Sequence, residues 1–162
     1  MSRTKRIALC GMFTALAFGL SYIEMILPLD FAVPGIKLGL ANLVILIALY
    51  NFRPMDALAI NCVRVILAGM LFGNVVALSF SIAGAICSFF VMYLLKRLTG
   101  MHIIVVSLLG AITHVLAQLL VGLFYYSPKV IFYYSFFLII SAFITGIIIG
   151  ILANRINSYI KF

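Results

Sequence analysis

Residues 103–126 read IIVVSLLGAITHVLAQLLVGLFYY, twenty-four positions without an Asp, Glu, Lys or Arg. Hydrocarbon ~30 Å thick is crossed by ~20 predominantly apolar residues at 1.5 Å each, so this stretch predicts a membrane-spanning helix. Outward from it, five more apolar segments run from about Ile7 to Leu27, Ile36 to Phe52, Met55 to Phe72, Val76 to Leu95 and Val130 to Leu152. The expected fold is all-α, a polytopic membrane bundle of about six transmembrane helices. No linker-like run of Pro, Gly, Ser or charge interrupts it, so residues 1–162 are read as a single integral membrane domain without internal repeats. The second segment is short and opens directly from a turn.

Composition agrees with lipid as the main solvent. Apolar residues make up 67% of the chain and charged residues 9%, a balance that a soluble domain of this length could not keep on its surface. The net charge of +8 lies in short clusters between apolar runs, not along one face, which argues for topology signals and against nucleic acid. With the N-terminus inside, Arg3, Lys5, Arg6, Arg53, Lys96, Arg97, Arg155 and Lys161 fall on the cytoplasmic side, while only Lys37 and Lys129 fall outside. That asymmetry obeys the positive-inside rule and favours an even number of spans, giving a multi-pass cell-membrane protein with both termini cytoplasmic. The opening Ser2-Arg3-Thr4-Lys5-Arg6 resembles a secretory signal, but the apolar run continues to Leu27 and further spans follow, so it is read as an uncleaved first helix. Cys10, Cys62 and Cys87 lack CxxC spacing or a neighbouring His and are read as buried small apolar residues.

Between the first two segments, Pro28-Leu29-Asp30-Phe31-Ala32-Val33-Pro34-Gly35 continues neither helix. So apolar a loop at the outer end either folds back as a cap on the bundle or is an ordinary connection with an amphipathic stretch.

The polar residues inside the spans are the candidate site. Arg at mid-membrane costs ~2.5–3.5 kcal/mol on insertion scales, so Arg64 is expected to face the interior, with Asn61 three residues earlier on the same face. His114 and Gln118 are four residues apart and share a face of the fifth span, with Thr113 and Ser107 nearby. Glu24, Asp30 and Lys37 gather at the outer end of the first two spans, with Asn42 about one turn inside the second. Glu24, Asn42, Asn61, Arg64, His114 and Gln118 are therefore the expected substrate-binding residues, the alternative being that they bridge neighbouring helices. An anion would satisfy Arg64 best. Gly11, Ala15 and Gly19 recur every four residues on the first span, a strip that lets another helix approach closely, whether from a partner or from this bundle.

The acids argue against an enzyme. Magnesium-dependent diphosphate chemistry needs converging carboxylates, and Glu24, Asp30 and Asp56 are the only acids, two at the outer end and one at the inner. No nucleotide-binding or nucleophile-elbow motif occurs. No catalytic residue, metal site or cofactor is expected, and ATP hydrolysis, if used, must come from a partner.

Pro34-Gly35-Ile36-Lys37-Leu38-Gly39-Leu40-Ala41-Asn42, with Gly73-Asn74 and Phe80-Ser81-Ile82-Ala83-Gly84, resembles the Gx transporter family, whose members are often labelled heptaprenyl diphosphate synthase component I. The resemblance covers essentially the whole chain. That family is similar in size and layout to the substrate-binding S components of energy-coupling factor transporters. The resemblance implies six helices, a capped outward pocket for a small-molecule substrate, and a small-residue strip docking to a transmembrane coupling subunit that works with cytoplasmic ATPases. Gly11, Ala15 and Gly19 match that strip, although the familiar one is alanine-based. The synthase label implies instead an accessory membrane subunit in isoprenoid, prenyl diphosphate or quinone-related metabolism. A ligand-free membrane scaffold is the third reading, favoured if the polar faces of the third and fifth spans only pair with each other.

Overall fold

The computed structural model describes residues 3–26, 39–72 and 74–160. They form six helices: α1 (Arg3–Ile26), α2 (Leu40–Asn51), α3 (Pro54–Phe72), α4 (Val75–Thr99), α5 (Ile103–Tyr125) and α6 (Pro128–Tyr159). All but α2 are long and apolar enough to cross a membrane, as expected of a multi-pass membrane protein. The proposed cap at Pro28–Gly35, together with Asp30, Lys37 and Gly73, lies outside the described residues.

Local signals set the helix ends. Pro54 and Pro128 open α3 and α6, where the missing N–H costs nothing and the fixed φ suits a first turn. Asn74 caps α4 by accepting a hydrogen bond from the Ala77 N–H at 2.7 Å. His102 accepts from the Ile104 N–H at the start of α5. Gly100 ends α4 at φ 60°, a left-handed conformation that glycine reaches without a Cβ clash. Lys96 and Arg97 occupy the last turn of α4, where cations favour the helix dipole.

The helices alternate in direction, and side-chain contacts fix the two ends. At the end carrying the α1 N-terminus, Arg6 Nε lies 3.7 Å from Asp56 Oδ2. There Lys96 Nζ also donates to the Leu49 carbonyl at 2.8 Å and Asn51 Nδ2 to Asn157 Oδ1 at 2.6 Å. This is the basic end. At the opposite end Phe18 and Tyr22 pack on Phe72, and Phe80 on Tyr125. Around the bundle α1, α3, α4, α5, α6 and α2 each pack on the next, and α2 returns to α1, closing a ring.

α2 departs from the sequence expectation. Its described helix has 12 residues, ~18 Å at 1.5 Å per residue, and the first residues of the expected segment, Ile36 to Leu38, lie outside the described residues. Seven of its residues, Ala41 and Val44 through Leu49, are buried, so it has no lipid-facing stripe and serves as a core helix. α6 is longer than expected, running on to Tyr159. The cysteines depart too: Cys10 and Cys62 are only half-buried and Cys87 is exposed, an apolar thiol on the outer surface of α4.

α5 and α6 approach each other closely, backbone to backbone. A methyl at Gly150 would lie 2.8 Å from Ile104 Cα, and one at Gly146 would lie 3.0 Å from Leu108 Cα. These two glycines, four residues apart, form the groove that seats α5. Ser107 Oγ donates to the Gly146 carbonyl across it at 2.8 Å.

Candidate functional site

Inside the ring lies a cavity with about 110 Å³ open to water-sized molecules, within an envelope of about 950 Å³ that includes its mouth. Both values exceed what one water needs. The periodicity of its walls explains how the sequence builds it. α5 contributes Ser107, Gly110, Ala111, His114, Val115 and Gln118, and α6 contributes Leu138, Ser141, Ala142, Thr145, Gly146 and Ile149. Both sets follow i, i+3, i+4, i+7, i+8, i+11, one continuous helical face each. Ser81, Ser88 and Met92 of α4 complete that side.

The facing wall comes from α2, Arg64 of α3 and Glu24 of α1. Glu24 has a structural task there. Its Oε1 accepts from the Gly39 N–H and, at 3.1 Å, from the Leu40 N–H, so a carboxylate on α1 caps the first turn of α2 and meets the positive end of its dipole. Gly39 itself sits at φ 79° and has no side chain to do this. A Cβ there would touch nothing closer than 3.8 Å, so the left-handed backbone and not crowding makes glycine the suitable residue. Ala41 and Asn42, also in that first turn, line the cavity.

Arg64 is held by polar neighbours on two helices. Its NH2 group donates to Asn61 Oδ1 at 2.8 Å and NH1 to Ser21 Oγ at 3.5 Å, and Glu24 lines the same cavity. Its Nε is buried without a hydrogen-bond partner.

His114 lies against α4. Its Nδ1 is 3.4 Å from Ser88 Oγ, and a methyl at Gly84 would come within 2.6 Å of its Nε2. Gly84 thus clears space for the imidazole. The pair links the FSIAG run to the polar face of α5, a relation that no local sequence pattern announces.

The structure therefore brings five of the six expected binding residues, Glu24, Asn42, Arg64, His114 and Gln118, to one cavity. Asn61 does not line it. This side chain, 2% exposed, donates from Nδ2 to the Ala85 carbonyl at 3.0 Å while its oxygen accepts from Arg64, so it orients the arginine and ties α3 to α4. Thr113 bonds to its own helix at the Leu109 carbonyl. Ser88 of α4 and Ser141 and Thr145 of α6 were missed from the sequence, since no expected site residue lies on either helix to mark its cavity face. Among the described residues no group of three His, Cys, Asp or Glu side chains could hold a metal ion.

Gly11 and Ala15 are exposed and Gly19 is partly so; a methyl at Gly11 or Gly19 would meet nothing within 4 Å. This strip therefore points away from the bundle's own helices.

No curated protein and no solved structure gives a significant match to the chain. The sequence model of the family described as heptaprenyl diphosphate synthase component I matches residues 13–156, a region that reaches all six described helices and contains the whole cavity wall. By that match, the chain belongs to the heptaprenyl diphosphate synthase component I family.

Proposed function

We propose that the chain is a non-catalytic, substrate-binding subunit of a membrane transporter, similar to the S components of energy-coupling factor transporters. It captures a small polar molecule bearing an anionic group. The observation that carries this reading is the single cavity where Arg64, Asn42, His114 and Gln118 converge beside the first turn of α2. A half-buried guanidinium on the cavity wall and a helix N-terminus both favour negative charge. Glu24 offsets part of that field, but two backbone N–H groups already engage it. Arg64 bonds within α3 and to α1, and His114 approaches Ser88 of α4; these contacts favour a ligand site over a scaffold in which α3 and α5 merely pair.

The basic end faces the cytoplasm in this reading, with both termini inside and the ligand arriving from outside. Reporter fusions at Asn74 and Lys161 should give opposite locations, and a shared location would refute the topology. The open strip at Gly11, Ala15 and Gly19 would seat a transmembrane coupling subunit, with ATPases supplying energy.

The family description supports a second reading, an accessory membrane component of a prenyl diphosphate synthase. Native mass spectrometry of the chain released from its own membranes separates the two. A small-molecule adduct together with a coupling subunit is expected for a transporter, whereas a prenyl synthase subunit and no adduct would replace it with the accessory role.

A further inference from the structure

The polar groups around the cavity are not interchangeable. A guanidinium can only donate hydrogen bonds, whereas a hydroxyl whose proton is committed elsewhere can only accept them. Arg64 brings donors from α3. The first turn of α2 brings more: Glu24 engages the Gly39 and Leu40 N–H groups, while the next two residues, Ala41 and Asn42, line the cavity. Their N–H groups precede that of Leu43, the first in α2 to reach a carbonyl of its own helix, so they remain as donors.

The hydroxyls on the α4, α5 and α6 walls have their protons committed to backbone. Ser107 Oγ donates to the Gly146 carbonyl at 2.8 Å, Thr145 Oγ1 to the Ser141 carbonyl at 2.9 Å and Ser88 Oγ to the Ala85 carbonyl at 3.3 Å. Each keeps only lone pairs for a ligand. α6 stands across the ring from α3, so an accepting wall faces a donating one, with the Ser81 and Ser141 hydroxyls and the amides of Asn42 and Gln118 able to serve either way. Arg64 lies ten residues from the start of α3, Ser88 eleven from the end of α4 and Thr145 fourteen from the end of α6. These positions are ~15–21 Å from the basic end at 1.5 Å per residue, a common level that one small molecule can span.

The walls also lack a stacking platform. The chain has 14 Phe and 8 Tyr, and none of the described ones lines the cavity. On α6, Phe132, Phe136 and Phe143 are 75%, 65% and 49% exposed on the outside of the ring, while Ser141, Ala142 and Thr145 of the same helix turn inward. Pockets for flat ring systems present aromatic faces to them. The His114 ring is held against α4, between Ser88 and Gly84.

Resting on the proposed binding function and narrowing its substrate class, we infer that the ligand is a small aliphatic anion carrying O–H or N–H donors on the side away from its charge. Its charge meets Arg64 and the start of α2, and its donors meet Ser88, Ser107 and Thr145.

Three phosphate monoesters separate these features. Glycerol phosphate has the charge and hydroxyl donors, propyl phosphate the charge alone, and phenyl phosphate the charge and a flat ring. Each is titrated by calorimetry into the chain in phosphatidylcholine nanodiscs, against empty discs. Wild type should bind glycerol phosphate about tenfold more tightly than propyl phosphate, the scale of one or two well-made hydrogen bonds, and phenyl phosphate no more tightly than propyl phosphate. In the double variant Ser107→Ala, Thr145→Val, with folding checked by melting temperature, that preference should fall to about twofold or less. The ratio of the two affinities is the readout; if the double variant does not fold, the single substitutions and Ser88→Ala supply the same ratio. Arg64→Met should lose all three esters. Equal wild-type affinities for glycerol and propyl phosphate, a preference untouched by the hydroxyl substitutions, or phenyl phosphate as the tightest ester would each overturn the inference while leaving the anion site standing. Binding that ignores Arg64→Met, or no binding to folded wild type at millimolar ester, would overturn the site and the inference with it.

Discussion

Gly11, Ala15 and Gly19 on α1 and Gly146 and Gly150 on α6 carry the same small-residue spacing, and the structure treats them in opposite ways. On α6 the groove is full, with α5 backbone at 2.8–3.0 Å from where a methyl would sit. On α1 it is open, with nothing within 4 Å of either glycine. Small-xxx-small spacing permits a close approach but does not say which helix makes it. The occupied strip holds the bundle together; the open one is available to something outside it. Stability and assembly should therefore respond to different glycines.

The largest effect is expected at Gly150. Leu there must push apart two helices whose backbones already touch, and Gly150→Leu should cost about 3 kcal/mol or prevent accumulation of folded protein. Thermal unfolding in detergent reads this directly, and a wild-type melting temperature would break the comparison on its occupied side. Gly146→Ala, one turn away with a 3.0 Å approach, should cost about 1 kcal/mol.

A smaller effect is expected where a glycine serves the site. Gly84→Ala would press on the His114 ring and should cost about 1–2 kcal/mol. If the ring is the cause, Gly84→Ala in a His114→Ala background should be nearly neutral, a coupling of about 1 kcal/mol in a double-mutant cycle. Additive losses would mean that Gly84 is needed for some other reason.

The smallest effect on stability belongs to the open strip. Ala15→Leu should change unfolding by less than about 0.5 kcal/mol yet reduce co-purification of the proposed coupling subunit about tenfold. Unchanged co-purification with Leu at Gly11, Ala15 and Gly19 would remove α1 as the docking surface.

What the sequence discloses follows from which forces are local. The five long spans are legible because burying ~20 apolar residues in lipid is a property of each segment alone. The enclosure of α2 was not legible because hydropathy cannot distinguish a helix enclosed by protein from one facing lipid; both want apolar residues on every side. Arg64, His114 and Gln118 stood out because a polar group in hydrocarbon is costly wherever it sits. Glu24 was singled out, but its hydrogen bonds to Gly39 and Leu40 were invisible, as was the diversion of Asn61 to Ala85, because such partners depend on how non-adjacent helices meet. The hydroxyls of Ser88, Ser141 and Thr145 drew no notice since Ser and Thr can satisfy themselves on their own helix.

The central claim is that the polar residues inside this apolar ring serve a ligand and not merely helix packing. Arg64→Met tests it most directly, because methionine keeps the length and apolar body of the side chain while removing charge and donors. Native mass spectrometry of wild type and variant, released side by side from the membranes in which they were made, should show an anionic small-molecule adduct on the wild type and its loss from a folded Arg64→Met protein. The same adduct on both, at equal occupancy, would contradict the claim and reduce Arg64 to a brace between α1 and α3.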